Sequence, residues 1–513
     1  MNFRSWPLHP FLLVCGFILG FALASDVEPT GFIRPLLVAA GATALALAVA
    51  WLVVRDLALA ALLVTGALLI LLTIVPAFHL ATSIGGAFGP GAGSGAAVVG
   101  LLIALTTPIL LVLWLRRKPQ RLAQITGALN TALLVLLAIV IVSNAGPDIQ
   151  GMLSRPVAQG GYQGSSTEQG PDIYVILLDG YPRADVLGRR FNIDNSPFLD
   201  QLRARDFGVA DGSHSNYVFT QLTLASMFQM RHLEQIPAIQ PRIGSEGGQN
   251  GLLRAAICDG AAFATLREHG YEIVSTAAGY EHAALRCVAD RVLDHGEMTD
   301  LERTLLERTW IPDLLAPLWP ALFSGPQRDR IVHTFADLRQ LAAEQRDHPI
   351  FAFGHIPAPH LPLVLAADGR VLELSPRDFD ASNAVELGIS EREFADLYAS
   401  ELRYLNSQVV ATIDEITNSS VRMPVIVVMS DHGYTYDPGP SPDKFGNLLA
   451  WATPGAPDLL GGDVTPVNYF SLLLNRYLGT QIAISERRFF YSPGPSRQLM
   501  MTEVGDPDAP DDG

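Results

Sequence analysis

Five apolar segments, at roughly 9–25, 32–54, 57–80, 93–115 and 123–143, fill the first third of this chain and constrain it more than any other feature. Each is close to the ~20 residues a helix needs to cross a bilayer core. They are nearly free of charge and are separated by Gly, Pro or short charged turns. One such segment could be a cleaved leader, but five could not. The mean hydropathy of +0.26 and the 17% of charged residues agree with a chain that is partly in lipid.

Loop charges orient the spans. Arg116, Arg117, Lys118 and Arg121 lie between the fourth and fifth segments, which predicts a cytoplasmic loop. Arg4 and Arg55 agree, while Arg34, at the outer end of the second segment, is an exception. The N-terminus is then inside, and five crossings put everything after Asn144 outside the cytoplasm. Residues 1–150 carry seven Lys/Arg against four Asp/Glu, and the rest of the chain, with 28 against 47, is acidic. An acidic exported part argues against nucleic acid as a partner.

Residues 1–146 are therefore expected as transmembrane helices. Residues 147–170, rich in Gly, Ser and Gln, read as a tether, and 491–513 as a flexible tail. Between them, 171–490 alternates strand-like apolar runs with helical patterns such as "SPFLDQLRARDF" and "EREFADLYASELRYLNSQVVATIDEI". That alternation predicts an α/β domain with a mostly parallel sheet covered by helices. Ligands in such sheets bind beyond the carboxyl ends of the strands.

Three strand-like runs end in chemistry. "YVILLDG" ends at Asp179, "VIVVMSDHG" at Asp431 and His432, and "IFAFGHIPAPHLP" near His355 and His360. A single strand ending in Asp could be a helix cap. A second buried strand ending in Asp-His-Gly points instead to carboxylate and imidazole ligands for a divalent cation. A candidate nucleophile, Thr220, falls where "SNYVFTQLTLASMF" turns from loop to apolar helix. A helix N-terminus favours an anion, whether alkoxide or bound phosphate or sulfate. Thr220 could equally be only an N-cap. Thr223 and Ser226 fall inside the helix, where hydroxyls bond the preceding turn.

The motifs "YVILLDGYPRADV", "SNYVFTQLTLASM", "GHIPAPHLP" and "SDHG", in this order, resemble the alkaline phosphatase/sulfatase superfamily. The likeness is greatest to membrane-anchored sulfatase-like proteins, which include lipoteichoic-acid synthases and phosphoethanolamine transferases. It spans residues 171–480, and the helices ahead of it match in kind. The resemblance implies an alkaline-phosphatase-like α/β/α sandwich. It implies a metal-and-nucleophile set of Asp179, Thr220, Asp431 and His432, with one divalent ion (Mn²⁺, Zn²⁺ or Mg²⁺). It gives His360, and more weakly His355, contact with the transferred group. The implied activity is transfer or hydrolysis of a phosphate ester through a covalent threonine, on a phospholipid or envelope glycan. A phosphodiesterase or phosphatase, a sulfuric ester hydrolase and an inactive membrane scaffold are the alternatives. No C/S-x-P-x-R motif follows the first strand, which counts against sulfatase chemistry, and no His follows His432, which favours one metal over two. "KFGN", residues 444–447, receives no role.

Of the three cysteines, Cys15 lies in the first apolar segment. Cys258 and Cys287 fall in the exported part, where a disulfide persists; two buried thiols are the alternative.

Overall fold

The computed structural model describes residues 6–24, 31–86, 106–144, 170–246, 249–280, 282–374, 383–461 and 463–509. The chain divides into two compact units. One holds Met1–Arg155 together with Thr299–Trp319, and the other holds Pro156–Met298 and Pro320–Gly513. Most of the expected 147–170 tether lies outside the described residues. The sequence pattern predicted a continuous domain over 171–490, so the assignment of Thr299–Trp319 to the apolar-helix unit departs from expectation.

In the first unit, Ile33–Val54 and Pro119–Ser143 are long and apolar enough to cross a membrane. This is two helices, where hydropathy alone suggested five spans. The stretches His9–Leu23, Leu57–Thr73 and Thr106–Leu115 are apolar helices that fall short of that length among the described residues. The remainder of the expected 93–115 span lies outside the described residues. The first and last of these helices run in the same direction. Asn130 Nδ2 donates to Trp6 O at 2.6 Å, and a Val140 methyl packs 3.4 Å from the Cβ position of Gly20. Lys118 and Arg121 stand over the Trp114 ring, at the end of the Pro119 helix remote from Val140.

The second unit is built on a seven-stranded sheet. Its strands are β1 (Ile173–Leu178), β2 (Gly208–Val209), β3 (Glu272–Thr276), β4 (Arg291–Leu293), β5 (Ile350–Ile356), β6 (Val425–Met429) and β7 (Leu449–Ala452). They are ordered β2-β7-β6-β1-β5-β3-β4. The strands from β6 to β4 are parallel, and β7 and β2 add an antiparallel edge. The central strands β1, β5 and β6 are buried along their whole length, which explains their unbroken Val/Ile/Leu/Phe sequence rather than an alternation. The core on one side joins Ile173, Val175 and Leu177 to Phe228, Phe263, Phe351 and Phe353. The helices expected at "SPFLDQLR" and "EREF…" form at Ser196–Arg203 and Glu391–Ser419, the latter opened by a Ser390/Glu393 capping box. Cys258 and Cys287 form a disulfide with Cα atoms 5.7 Å apart. Part of the segment expected as a tail is paired: β8 (Phe489–Tyr491) and β9 (Thr502–Val504) form a two-stranded sheet.

Glu401, on the long helix Glu391–Ser419, is fully buried. Its Oε2 accepts backbone N–H groups of Val364 and Leu365 at 2.9 and 3.4 Å, fixing the chain just beyond the β5 loop. Burial pushes its carboxyl up to about 8, against the pull of the two N–H donors. The folded protein thus holds a proton here that the unfolded chain releases near its ordinary value. This contribution is complete at low pH and is lost as pH climbs through about 8. Glu401→Gln keeps an acceptor for both N–H groups. Thermal unfolding of the parent between pH 5 and 8 is expected to show a fall in stability that is absent from Glu401→Gln. Parallel profiles for the two proteins would refute this account of Glu401.

Candidate metal centre and its surroundings

The register of the central strands sets the site. Leu177 pairs with His355 of β5 and with Met429 of β6. The residues that follow, Asp179 on one strand and Asp431 on the next, therefore leave the sheet side by side. Gly180 turns the chain at φ +65°, and a Cβ there would lie 3.3 Å from His432 Cε1. Asp431 Oδ1 accepts the Gly180 N–H at 3.0 Å, which ties the two strand ends together.

Asp179, Asp431 and His432 are all buried, and one donor atom from each lies within 4.8 Å of the others. His432 Nε2 is 3.5 Å from both Asp179 Oδ1 and Asp431 Oδ2. His432 Nδ1 is 2.9 Å from Gly433 O, and a carbonyl only accepts, so the ring proton is on Nδ1. Nε2 therefore turns a lone pair toward two carboxylate oxygens. Among the described residues, Asp179 Oδ1 and Asp431 Oδ2 have no hydrogen-bond partner. Buried acceptors facing one another without a proton are costly unless a cation joins them. The distances fit: tetrahedral bonds of about 2.0–2.2 Å put ligand atoms about 3.3–3.6 Å apart, beyond hydrogen-bond range. The set thus has the chemistry and spacing of a site for one divalent cation.

The other expected residues take different stations. His355, in β5, is completely buried, and its Nε2 lies 3.3 Å from Asp179 Oδ2. His360 follows in the loop after β5, and its ring centroid is 6.4 Å from that of His432. Its Nδ1 is engaged by Leu361 O at 2.7 Å, which leaves Nε2 available. Burial would raise the Asp179 carboxyl, but His360, His355 and His432 together outweigh it and hold it well below the usual range. Thr220 is the first residue of the helix Thr220–Gln229, whose N-cap residue, Phe219, makes no side-chain capping bond. One turn on, Thr223 Oγ1 donates to Asp431 O at 3.0 Å, docking the start of this helix on the Asp-His turn. Ser226 Oγ donates to Thr223 O, as expected for a hydroxyl inside a helix. Of the three hydroxyls, Thr220's has no hydrogen-bond partner among the described residues.

Several residues that the sequence did not single out support the site. Ser430 Oγ accepts from Tyr181 N at 2.8 Å and donates to His432 O at 2.7 Å. "KFGN" is a strap under the Asp-His turn. Asn447 Nδ2 donates to Ser430 O at 2.6 Å, and Gly433 N and Tyr434 N donate to Lys444 O and Asp443 O. A Cβ on Gly433 would come within 2.2 Å of Asp443 O, so only glycine fits under the strap. Tyr436 OH accepts the Leu361 N–H at 2.7 Å and its ring lies beside His360. The cue available in the sequence was the position of this segment shortly after the Asp-His pair.

No protein-family model matches the chain, and no curated protein matches it significantly. Solved structures do. The periplasmic domain of a phosphoethanolamine transferase from Campylobacter jejuni is 12% identical, with a TM-score of 0.40, over 62% of this chain and 92% of that one. The integral membrane lipooligosaccharide phosphoethanolamine transferase A of Neisseria meningitidis is 13% identical, with a TM-score of 0.38, over 91% of this chain and 93% of that one. A 2-O GAG sulfatase is 12% identical, with a TM-score of 0.38, over 63% and 78%. These neighbours are members of the alkaline phosphatase/sulfatase superfamily.

Asp431→Asn retains the acceptor for Gly180 N–H but removes the buried charge. After dialysis against metal-free buffer, elemental analysis is expected to find a divalent cation in the parent and little or none in Asp431→Asn, with circular dichroism unchanged. Equal metal content in the two would exclude Asp431 as a ligand.

Proposed function

We propose that this chain is a membrane-anchored, metal-dependent enzyme that transfers or hydrolyses phosphate esters, with lipid head groups or envelope glycans as its substrates and Thr220 as its nucleophile. The observation that carries the reading is the buried trio Asp179, Asp431 and His432, whose unpaired donors converge at the ends of two adjacent strands. The helix bearing Thr220 begins against the same turn. Asp179, Asp431 and His432 would hold one divalent ion, Mn²⁺, Zn²⁺ or Mg²⁺. When bound, the ion supplies positive charge that neutralises a phosphoryl oxygen and acidifies a nearby hydroxyl.

The chain's own groups do the rest. Thr220 Oγ attacks phosphorus: an O–P bond forms, the bond to the leaving oxygen breaks, and the threonine proton passes to solvent. The free N–H groups at the helix start favour the added negative charge. His360, protonated at Nε2, gives a proton to the leaving oxygen. A second alcohol, or water, then gives its proton to His360 and attacks phosphorus; the P–Oγ bond breaks, and Thr220 Oγ takes a proton from solvent. His355, wholly buried behind Asp179, is a positioning residue in this scheme rather than a contact to substrate. An inactive scaffold would have no use for an intact, buried donor set.

The two long apolar helices support membrane attachment. In this reading the three shorter ones complete five crossings, N-terminus inside, with the α/β unit extracytoplasmic at the cell inner or plasma membrane. The parallel run of the first and last helices is what an odd number of crossings requires.

Thr220→Ala is expected to lower turnover of phosphodiester and phospholipid substrates by about a thousand-fold or more while leaving metal content intact. Thr220→Ser is expected to keep part of the activity, and mass spectrometry of the quenched parent to find phosphate on Thr220. With head-group-labelled phospholipid, label passing to an alcohol or glycan identifies a transferase, and label in a water-soluble product a hydrolase. A fully active Thr220→Ala would overturn the nucleophile assignment.

A further inference from the structure

Residues 299–319 belong to the apolar-helix unit although the α/β unit surrounds them in sequence. Their first half is a well-made helix, Asp300–Glu307, opened by a Thr299/Glu302 capping box. Leu301 and Leu305, one turn apart, pack with Val14, Ile18 and Ala22, and Phe21, Phe32 and Leu36 close the cluster. These residues lie toward the end of the helix His9–Ala24 and at the start of Ile33–Val54. Glu302 also receives a two-pronged ion pair from Arg34, and Arg308 stands 5.4 Å over the Phe21 ring. The segment is therefore fixed to one end of the helix pair. It is the end that Val140 of the Pro119 helix reaches, opposite the cluster at Arg116 to Arg121.

Among the described residues, the apolar face of the second half is left largely uncovered. "WIPDLLAPLW", residues 310–319, contains one charged residue in ten. Ile311–Leu315 is a short helix continued by a turn. Trp310, Leu314 and Leu318 follow one another at helical i, i+4 spacing and are 36%, 67% and 83% exposed, with Trp319 at 52%. Four large apolar side chains turned to water on one short element are unusual. Ten residues are too few to cross a bilayer. Tryptophan and leucine flanked by arginine and glutamate are instead what the interfacial layer accepts, with rings at head-group level.

We infer that residues 310–319 lie in the outer interface of the bilayer as a monotopic foot, with Trp310, Leu314, Leu318 and Trp319 inserted among lipid head groups and upper acyl chains. This rests on the membrane reading above and adds a second kind of membrane contact to it. The α/β unit is then joined to the membrane-embedded unit by covalent links at 298–299 and 319–320 besides the one that follows the last spanning helix. Arg34, the exception to the charge rule, is accounted for as the partner that holds the foot.

The test uses the full chain with Cys15→Ala, reconstituted in phosphatidylcholine/phosphatidylglycerol vesicles. Single cysteines replace Leu318, Leu45 in the middle of a spanning helix, or Val421 on the surface of the α/β unit, and each is spin-labelled. Leu314→Cys repeats the measurement should Leu318→Cys fold poorly. Collision with oxygen and with a water-soluble nickel chelate gives the depth. The label at 318 is expected to meet nickel several-fold less often than the label at 421, at a depth shallower than that at 45. Equal nickel access at 318 and 421, with the label at 45 shielded, would overturn the inference and leave the membrane reading standing. Nickel access at 45 would instead overturn the membrane reading. Dipolar broadening at 318 that persists when the chains are diluted in lipid would show a second copy on this face, and would also overturn the foot.

Discussion

Two carboxylate oxygens and one imidazole lone pair, all buried and all facing one point, are the constraint around which the α/β unit is arranged. No set of protein hydrogen bonds satisfies them, because every group is an acceptor. A divalent cation bound between them would offset the cost of that arrangement. The surroundings keep the three atoms from relaxing apart. Gly180 N–H anchors Asp431, Gly433 O anchors His432, and Ser430 clamps both turns. The strap through Asn447 then prevents the Asp-His turn from swinging away.

Much of this was legible in the sequence because its signals are local. An unbroken β-branched run followed at once by Asp-Gly reads as a buried strand ending in chemistry or in a helix cap, and the second run ending in Asp-His-Gly tips the reading toward chemistry. The two glycines likewise announced backbone that no side chain could tolerate. The helix start at Thr220 was legible from the change of texture; Ser226 bonds the preceding turn as expected, but the Thr223 hydroxyl reaches across to Asp431 O instead.

What the sequence hid depends on distant contacts. "KFGN" works through its backbone carbonyls and one amide, and such a role leaves little mark on residue type. His360 was expected to contact the transferred group and His355 more weakly; β5 ends between them, so His355 is wholly buried beside Asp179 while His360 stands in the loop with its ring 6.4 Å from that of His432. Residues 299–319 read as ordinary helix within an α/β pattern. Only their packing on Val14, Ile18 and Ala22 reveals that they belong to the other unit. Hydropathy suggested five spans where two helices among the described residues are long and apolar enough, and part of the expected 93–115 span lies outside those residues.

The pairing of β1 has a bearing on how the chain reaches its working form. This first strand of the sheet is also its centre, and its two neighbours begin at Ile350 and Val425. A chain emerging from its N-terminus presents β1 long before either partner exists, with both hydrogen-bonding edges open and wholly apolar faces. Early local contacts cannot shield it, so the parallel core of the α/β unit is expected to assemble late, a slow and aggregation-exposed order of events. Asp179 and Asp431 meet only at that last step. A chain cut short before β6 therefore brings together only part of the Asp179, Asp431 and His432 set.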